Sequence, residues 1–301
     1  MMNMDLLKAA LYKPEHTDGA IPILPTSSLS KTVKINSSHC ERYNKAVDWK
    51  LGIASVIHPN YLQVLTLPMQ LEMMISKPFP FKPMGLVHLA NHIDVNFLPE
   101  QNATLDLKTS YNGITWHKKG WVFAVVSEGF VGGNLAISGT SYYLSRQKHD
   151  EVVDLDDAVN QAHAVPVIPS IEGLEPPYSN TSKLNFPIGV GRQYARVSGD
   201  FNPIHLSRWS AKFMGFRQAI AHGMYSKALC LSMVIKQEMS DGKTMLAETP
   251  MQFSTQFMQP IYLPTQCELF INKAEHELDF SLRSKSRSRE REHLRTKVII
   301  G

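Results

Sequence analysis

Cysteine is scarce in this 301-residue chain. The three present, Cys40, Cys230 and Cys267, are far apart and odd in number, and no CxxC pair occurs. That pattern excludes a disulfide scaffold, argues against a structural zinc site and suits free thiols in a reducing compartment. Long apolar runs are missing too: none approaches the roughly 20 residues that a membrane-crossing helix needs. At the N-terminus, MMNMDLLKAALYKPEH is broken by Asp5, Lys8 and Lys13, so no signal-peptide core forms. The expectation is a soluble cytoplasmic protein with no membrane partner. A strong charge of one sign is also lacking. A net charge of +4 and a pI of about 8.8 bias the surface mildly towards anionic partners such as phosphates or an acidic carrier protein, and are too weak to argue for nucleic acid. The densest charge run, SKSRSREREHLR at 284–295, mixes acids with bases and leads into the apolar TKVII. It reads as a solvated hairpin between two terminal strands rather than a nucleic-acid arm.

What is present is an ordinary globular composition, 43% hydrophobic and 19% charged. Between 148 and 184, acids and then prolines and small polar residues cluster, as in a linker with at most one short helix. It separates residues 1–147 from 185–301, and the two parts read alike. In the second, Ile220, Met224, Ala228, Leu231 and Ile235 recur at helical spacing, and Met251, Phe253, Thr255 and Phe257 alternate as in a strand. QCELFI, LDFSLR and TKVII are further strand candidates. In the first, VIHPNYLQVLTLPMQLEMMI resembles the same helix, with Pro68 expected to kink or end it. Val87, Leu89, Ile93, Val95 and Phe97 then alternate, and TLDLKT, WVFAVVSEGF and LAISGTSYYLS follow as strands. His58 precedes Pro99 by 41 positions and His222 precedes Pro264 by 42, each proline in a Leu-Pro corner. Two copies of one helix followed by antiparallel strands make an α+β layer arrangement in which each copy buries its face on the other; two unrelated α+β domains are the alternative.

The copies differ at one place. Tyr43 lies 15 positions before His58, whereas Tyr194 lies 28 before His222, and the extra stretch holds DFNPIH. The plain reading of these residues is a turn, a helix cap and a core histidine. The chemical reading is that a proline-fixed turn aims Asp200 and His205 into one cavity, where a carboxylate and an imidazole act on one water as general base and acid. Gly223 follows His222 at a helix start, where unpaired N–H groups and the close approach that glycine permits suit an oxyanion. Acid, base and oxyanion donor together fit addition of water to, or its loss from, a double bond beside a carbonyl.

YARVSGDFNPIHL and GFRQAIAHGM resemble the signature of the MaoC-like dehydratases, the (R)-specific enoyl-CoA hydratases. The motif likeness covers about 190–265, and the duplicated layout extends it to the whole chain as a double hot-dog, two repeats each with a central helix wrapped by an antiparallel sheet. The resemblance implies that Asp200 and His205 are the catalytic pair, that Asn202 braces the turn and the histidine, and that the Gly223 N–H holds the thioester carbonyl. It gives His222 and Ser198 supporting places. The implied substrate is a trans-2-enoyl or (R)-3-hydroxyacyl thioester of coenzyme A or acyl carrier protein, with no metal or redox cofactor. The first half lacks the pair, so one site per chain is expected, in a pseudo-dimeric monomer or a homodimer. Prolines around 78–83 are expected either to widen or cap an acyl tunnel or to form a plain linker. Arg192, Arg196, Arg208 and Arg217 are candidates for phosphate contacts. A hot-dog thioesterase and a non-enzymatic acyl-thioester-binding module are the competing readings.

Overall fold

The computed structural model describes residues 8–9, 11–14, 22–49, 56–146, 167–240, 250–286 and 289–301. Its elements in chain order are β1 (Ser28–Lys34), α1 (Ser37–Ala46), α2 (Tyr61–Met74), β2 (Val87–Val95), β3 (Thr104–His117), β4 (Gly120–Val131) and β5 (Asn134–Arg146). There follow β6 (Asn180–Phe186), α3 (Val190–Ser198), a 3-10 turn (Pro203–His205), α4 (Arg208–Phe213), α5 (Gly223–Ser240), β7 (Met251–Phe257), β8 (Thr265–Lys273), β9 (Glu277–Ser286) and β10 (Arg289–Ile300).

Ten strands form one antiparallel sheet in the order β1-β3-β4-β5-β2-β7-β10-β9-β8-β6. Read inward from either edge, the order is the same once five is added to each strand number. The expected repeat is therefore present in the topology. β2 and β7 join the halves, with Asn91 opposite Thr255, Ile93 opposite Phe253 and Val95 opposite Met251. The Tyr43 and Tyr194 rings, predicted to be equivalent, meet at 6.2 Å across the halves on the paired helices α1 and α3.

The central helices explain why the spacing pattern was only partly informative. Met224, Ala228, Leu231 and Ile235 are buried as expected, but so are Tyr225, Leu229, Cys230 and Val234. A helix apolar on every side is one wrapped by its sheet rather than laid on it. α2 runs through Pro68 to Met74 instead of ending there. The lost amide bond is outweighed by burial of Leu62, Val64, Met69 and Met73 around it. Phe97 lies outside β2 and is 38% exposed, so the predicted alternation stops at Val95. The described residues of the charged run at 284–295 lie in β9 and β10, which pair with each other; Glu292 binds Arg295 at 2.6 Å. Much of the proposed linker, 147–166, lies outside the described residues, and the short helix considered there falls with it. Its last part, from Asn180, is already strand β6, paired with β8 of the second half.

Candidate active site

The turn predicted to carry chemistry is built by its own short-range bonds. α3 ends at Gly199, in the left-handed region with φ of 77°, which glycine adopts without strain. Beyond it, Ser198 Oγ accepts from the Asp200 N–H at 3.2 Å, and Asp200 Oδ1 accepts from the Asn202 N–H at 3.1 Å. Asn202 Oδ1 caps the 3-10 turn at the Ile204 N–H, and Pro203 fixes its first residue. Asn202 thus braces the turn as expected, and its carbonyl accepts from the His205 N–H at 3.0 Å. The turn is pressed onto α3 at Gly191, where a Cβ would lie 2.0 Å from the His205 carbonyl oxygen. Only glycine fits there.

His205 and His222 stack with ring centroids 3.7 Å apart. His205 Nδ1 is 2.9 Å from the Ile220 carbonyl, and His222 Nε2 is 2.9 Å from the Asp200 carbonyl. A carbonyl only accepts, so each of these nitrogens carries the proton. The lone pairs left over are His205 Nε2 and His222 Nδ1, the latter buried without a partner. Asp200 Oδ2 is 3.9 Å from His222 Nε2. α5 starts at Gly223, so its amide falls in the first turn, whose N–H groups have no intrahelical acceptor. A Cβ on Gly223 would approach the Phe257 ring to 3.0 Å, a second reason for glycine there.

Burial holds the His205 and His222 imidazoles below their ordinary pKa, more strongly than the Asp200 carboxylate raises them. Burial pushes the Asp200 carboxyl up, but the facing histidines and the Asn202 amide outweigh it and the net displacement is downward. At neutral pH the site is one carboxylate beside two neutral imidazoles, a set of acceptors ready to take a proton from water.

Ser198, Asp200, Asn202, His205, His222 and Gly223 all line one cavity of about 290 Å³. The structure therefore brings all six predicted site residues together. The opposite wall belongs to the first half: Val64, Leu67, Leu71, Met74 and Leu86 are its apolar part, and Gln63, Gln70, His88 and Tyr143 its polar part. His88 was not anticipated. A bulge between His88 and Ala90 sets His88 opposite Tyr143 and Asn91 opposite Ser141, which places the His88 ring on the face that α2 covers. Burial, then the Lys227 ammonium, pushes its pKa down to about 3. Lys227 is itself fully buried, with its amine 2.5 Å from Asn91 Oδ1 across the junction of the halves. No residue pattern announces a bulge, whereas Gly191 inside a helix was a legible signal that was passed over.

None of Arg192, Arg196, Arg208 and Arg217 is among the cavity-lining residues; Lys119 and Arg146, both exposed and both from the first half, are. Arg192 instead donates to the Leu206 carbonyl at 2.8 Å, and Arg217 stacks on Tyr262 at 4.0 Å. Of the proline segment, Pro83 and Met84 reach the cavity, while Phe79 and Phe81 pack on Phe123 at 5.4 and 5.5 Å. Asp200, His205 and His222 also hold donor atoms within 4.8 Å of one another, a spacing that a cation can bridge. A Ser254–His92–Asp94 hydrogen-bonded chain is not part of this cavity's lining.

Residues 190–291 match the family described as MaoC like domain. The match covers about a third of the chain, all of it in the second half. At full length, the chain is 26% identical over 279 residues to 3-hydroxyacyl-thioester dehydratase X of Mycobacterium tuberculosis, covering 88% of this chain and 89% of that protein. It is 38% identical over 112 residues to fatty acid synthase beta subunit TOXC of Cochliobolus carbonum, a match covering 36% of this chain and 5% of that much longer protein. Among solved structures, a MaoC-like dehydratase from Phytophthora capsici superposes with a TM-score of 0.74 at 16% identity, covering 93% of this chain and 97% of the other. HtdX of Mycobacterium tuberculosis superposes with a TM-score of 0.71 at 22% identity, covering 90% and 99%. The fold is the double hot-dog, and the MaoC-like match falls on the half that carries the Asp200–His205 turn.

Proposed function

We propose that the chain is a hydro-lyase that interconverts trans-2-enoyl and (R)-3-hydroxyacyl thioesters. The observation that carries the reading is the joint placement of the Asp200 carboxylate, the His205 Nε2 lone pair and the Gly223 amide around one cavity. It is supported by the MaoC-like match over the same residues and by the mycobacterial dehydratase relative.

In the hydration direction, water sits between Asp200 and His205. Its oxygen bonds to C3 as the carbon–carbon π electrons move towards the thioester. One water proton passes to the Asp200 side and returns to C2, so that H and OH are added and no external acid is consumed. The negative charge on the thioester oxygen faces the first amides of α5, and Gly223 lets that oxygen approach the backbone. His222 acts through the turn: its N–H on the Asp200 carbonyl holds the backbone that aims the carboxylate. The apolar first-half wall is placed to take the acyl chain, and the exposed Lys119 and Arg146 are placed to meet the anionic groups of the carrier.

The test is turnover of crotonyl-CoA and longer trans-2-enoyl-CoAs, followed by loss of conjugated absorbance, with the product's configuration determined. Accumulation of the (R)-3-hydroxyacyl ester without free thiol supports the proposal. Release of free thiol without hydration would make the chain a thioesterase, a chemistry that the hot-dog scaffold also hosts. Binding without either reaction would make it an acyl-thioester-binding module.

A further inference from the structure

The helix that follows the catalytic turn presents two large aromatic side chains to solvent. Trp209 is 80% exposed and Phe213 is 91% exposed, one helical turn apart on α4 and therefore on the same side. Soluble surfaces carry isolated apolar residues without consequence, but an adjacent Trp–Phe pair this exposed is the composition of an interface centre. The charges on this segment of the chain are of one sign. Between Phe201 and Gln237 the chain has no acidic residue, while Arg208, Lys212 and Arg217 lie in and beside α4. Lys212 Nζ stands 5.8 Å from the Trp209 ring, and no salt bridge of Arg208, Lys212 or Arg217 occurs among the described residues. The patch is also next to the cavity: Ser207, which caps α4, is two residues from His205, and Phe216 just beyond α4 lines the cavity wall and lies under Arg146.

We propose that α4 is the docking surface for an acidic acyl carrier protein that delivers the acyl thioester into the cavity. The proposal rests on the thioester reading above and narrows its substrate class from any thioester to carrier-protein-bound ones. Three features select this occupant. A carrier has to rest its protein surface beside the cavity its prosthetic arm enters, and α4 lies in the chain between His205 and Phe216, which both line that cavity. A free coenzyme A ester can lay only its adenine ring on one of the two aromatic side chains, leaving the other exposed. The basic rim is complementary to an acidic protein and steers its approach. Two aromatic side chains bury roughly 150–250 Å² each, less than the roughly 800 Å² per partner of a standard interface, which fits a carrier that must leave after each turnover.

The experiment compares the wild-type chain with Trp209→Ser/Phe213→Ser and Arg208→Glu/Lys212→Glu. Each is assayed on one trans-2-enoyl group carried either by coenzyme A or by an acidic acyl carrier protein, and carrier binding is measured directly by titration. Both variants should lose about tenfold or more in kcat/KM on the carrier-bound substrate, with the coenzyme A ester turned over within about twofold of wild type. The wild-type preference for the carrier should shrink as salt is added. An equal loss on both substrates, or no loss on the carrier-bound one, overturns the proposal. Aromatic-dependent binding to anionic phospholipid vesicles, without carrier binding, overturns it in favour of a membrane surface. If the wild type hydrates neither substrate, the thioester reading fails, and the titration still decides whether α4 binds a carrier.

Discussion

His58 and His222 occupy corresponding places in the two halves, and what stands over each differs. Over His222 lies His205, stacked at 3.7 Å and held by the turn that also carries Asp200. Over His58 lies Trp49, at 4.4 Å and 6% exposed. His58 is satisfied at both nitrogens, by the Ala228 carbonyl and the Asn60 amide, whereas His222 keeps one nitrogen unpaired. The helix before each ends alike: Asp48 and Gly199, each five residues after its tyrosine, both have left-handed φ, 55° and 77°. The same scaffold thus holds an open polar pocket in one half and a filled apolar one in the other. Losing the turn let the first half close its pocket with a tryptophan and offer its helix and strands as the far wall of the remaining site.

Breaking the open half should give the largest effect. Asp200→Asn removes the proton acceptor without changing shape, and turnover of the enoyl ester should fall by roughly 10²–10⁴-fold with an unchanged melting curve. Breaking the filled half should act on stability instead. Trp49→Ala removes a buried ring, and denaturant unfolding should show a loss of about 3–5 kcal/mol, while the molecules that remain folded keep their turnover.

Acid sharpens the comparison through His58. Burial pushes its pKa down to about 3 from the ordinary 6.5. The unfolded chain therefore binds a proton below about pH 6.5 that the folded chain refuses, so stability falls as pH falls through that window. At pH 5 the contribution of this one group is about 2 kcal/mol. Thermal melts should drop between pH 7 and pH 5, and His58→Gln should flatten part of that slope. Melts independent of pH over this range would contradict the account. The smallest effect concerns the Asp200–His205–His222 donor set. Because the proposed mechanism gives the proton leaving water to side chains and the oxyanion to backbone amides, dialysis against a chelator should leave turnover unchanged within error. A loss restored by one divalent ion would reassign the three residues as ligands.

Much of this was legible in the sequence because the signals were local. DFNPIH is a turn made by its own side chains, and a helix start at His222-Gly223 is set by the residues around it. The repeat showed in the matched spacing from each histidine to a Leu-Pro corner, although the corners themselves are offset: the Ile57 amide bonds the Pro99 carbonyl, whereas the Ala221 amide bonds the Ile261 carbonyl, three residues before Pro264. What was missed depended on distant partners. Pro68 is tolerated because a buried helix has other support. His88 joins the cavity wall through a strand bulge. None of the four arginines near the motif in sequence lines the cavity, whereas Lys119 and Arg146 reach it from the other half. Trp49 is recognisable as the counterpart of His205 only once both lie over their histidines.

The most direct test of this division is to remove one buried histidine from each half, His205→Ala and His58→Ala, and to measure enoyl-thioester hydration per folded molecule. The account predicts that His205→Ala abolishes turnover in a folded protein, and that His58→Ala lowers stability while the folded molecules remain active. Full activity in folded His205→Ala, or an inactive but fully folded His58→Ala, would contradict it.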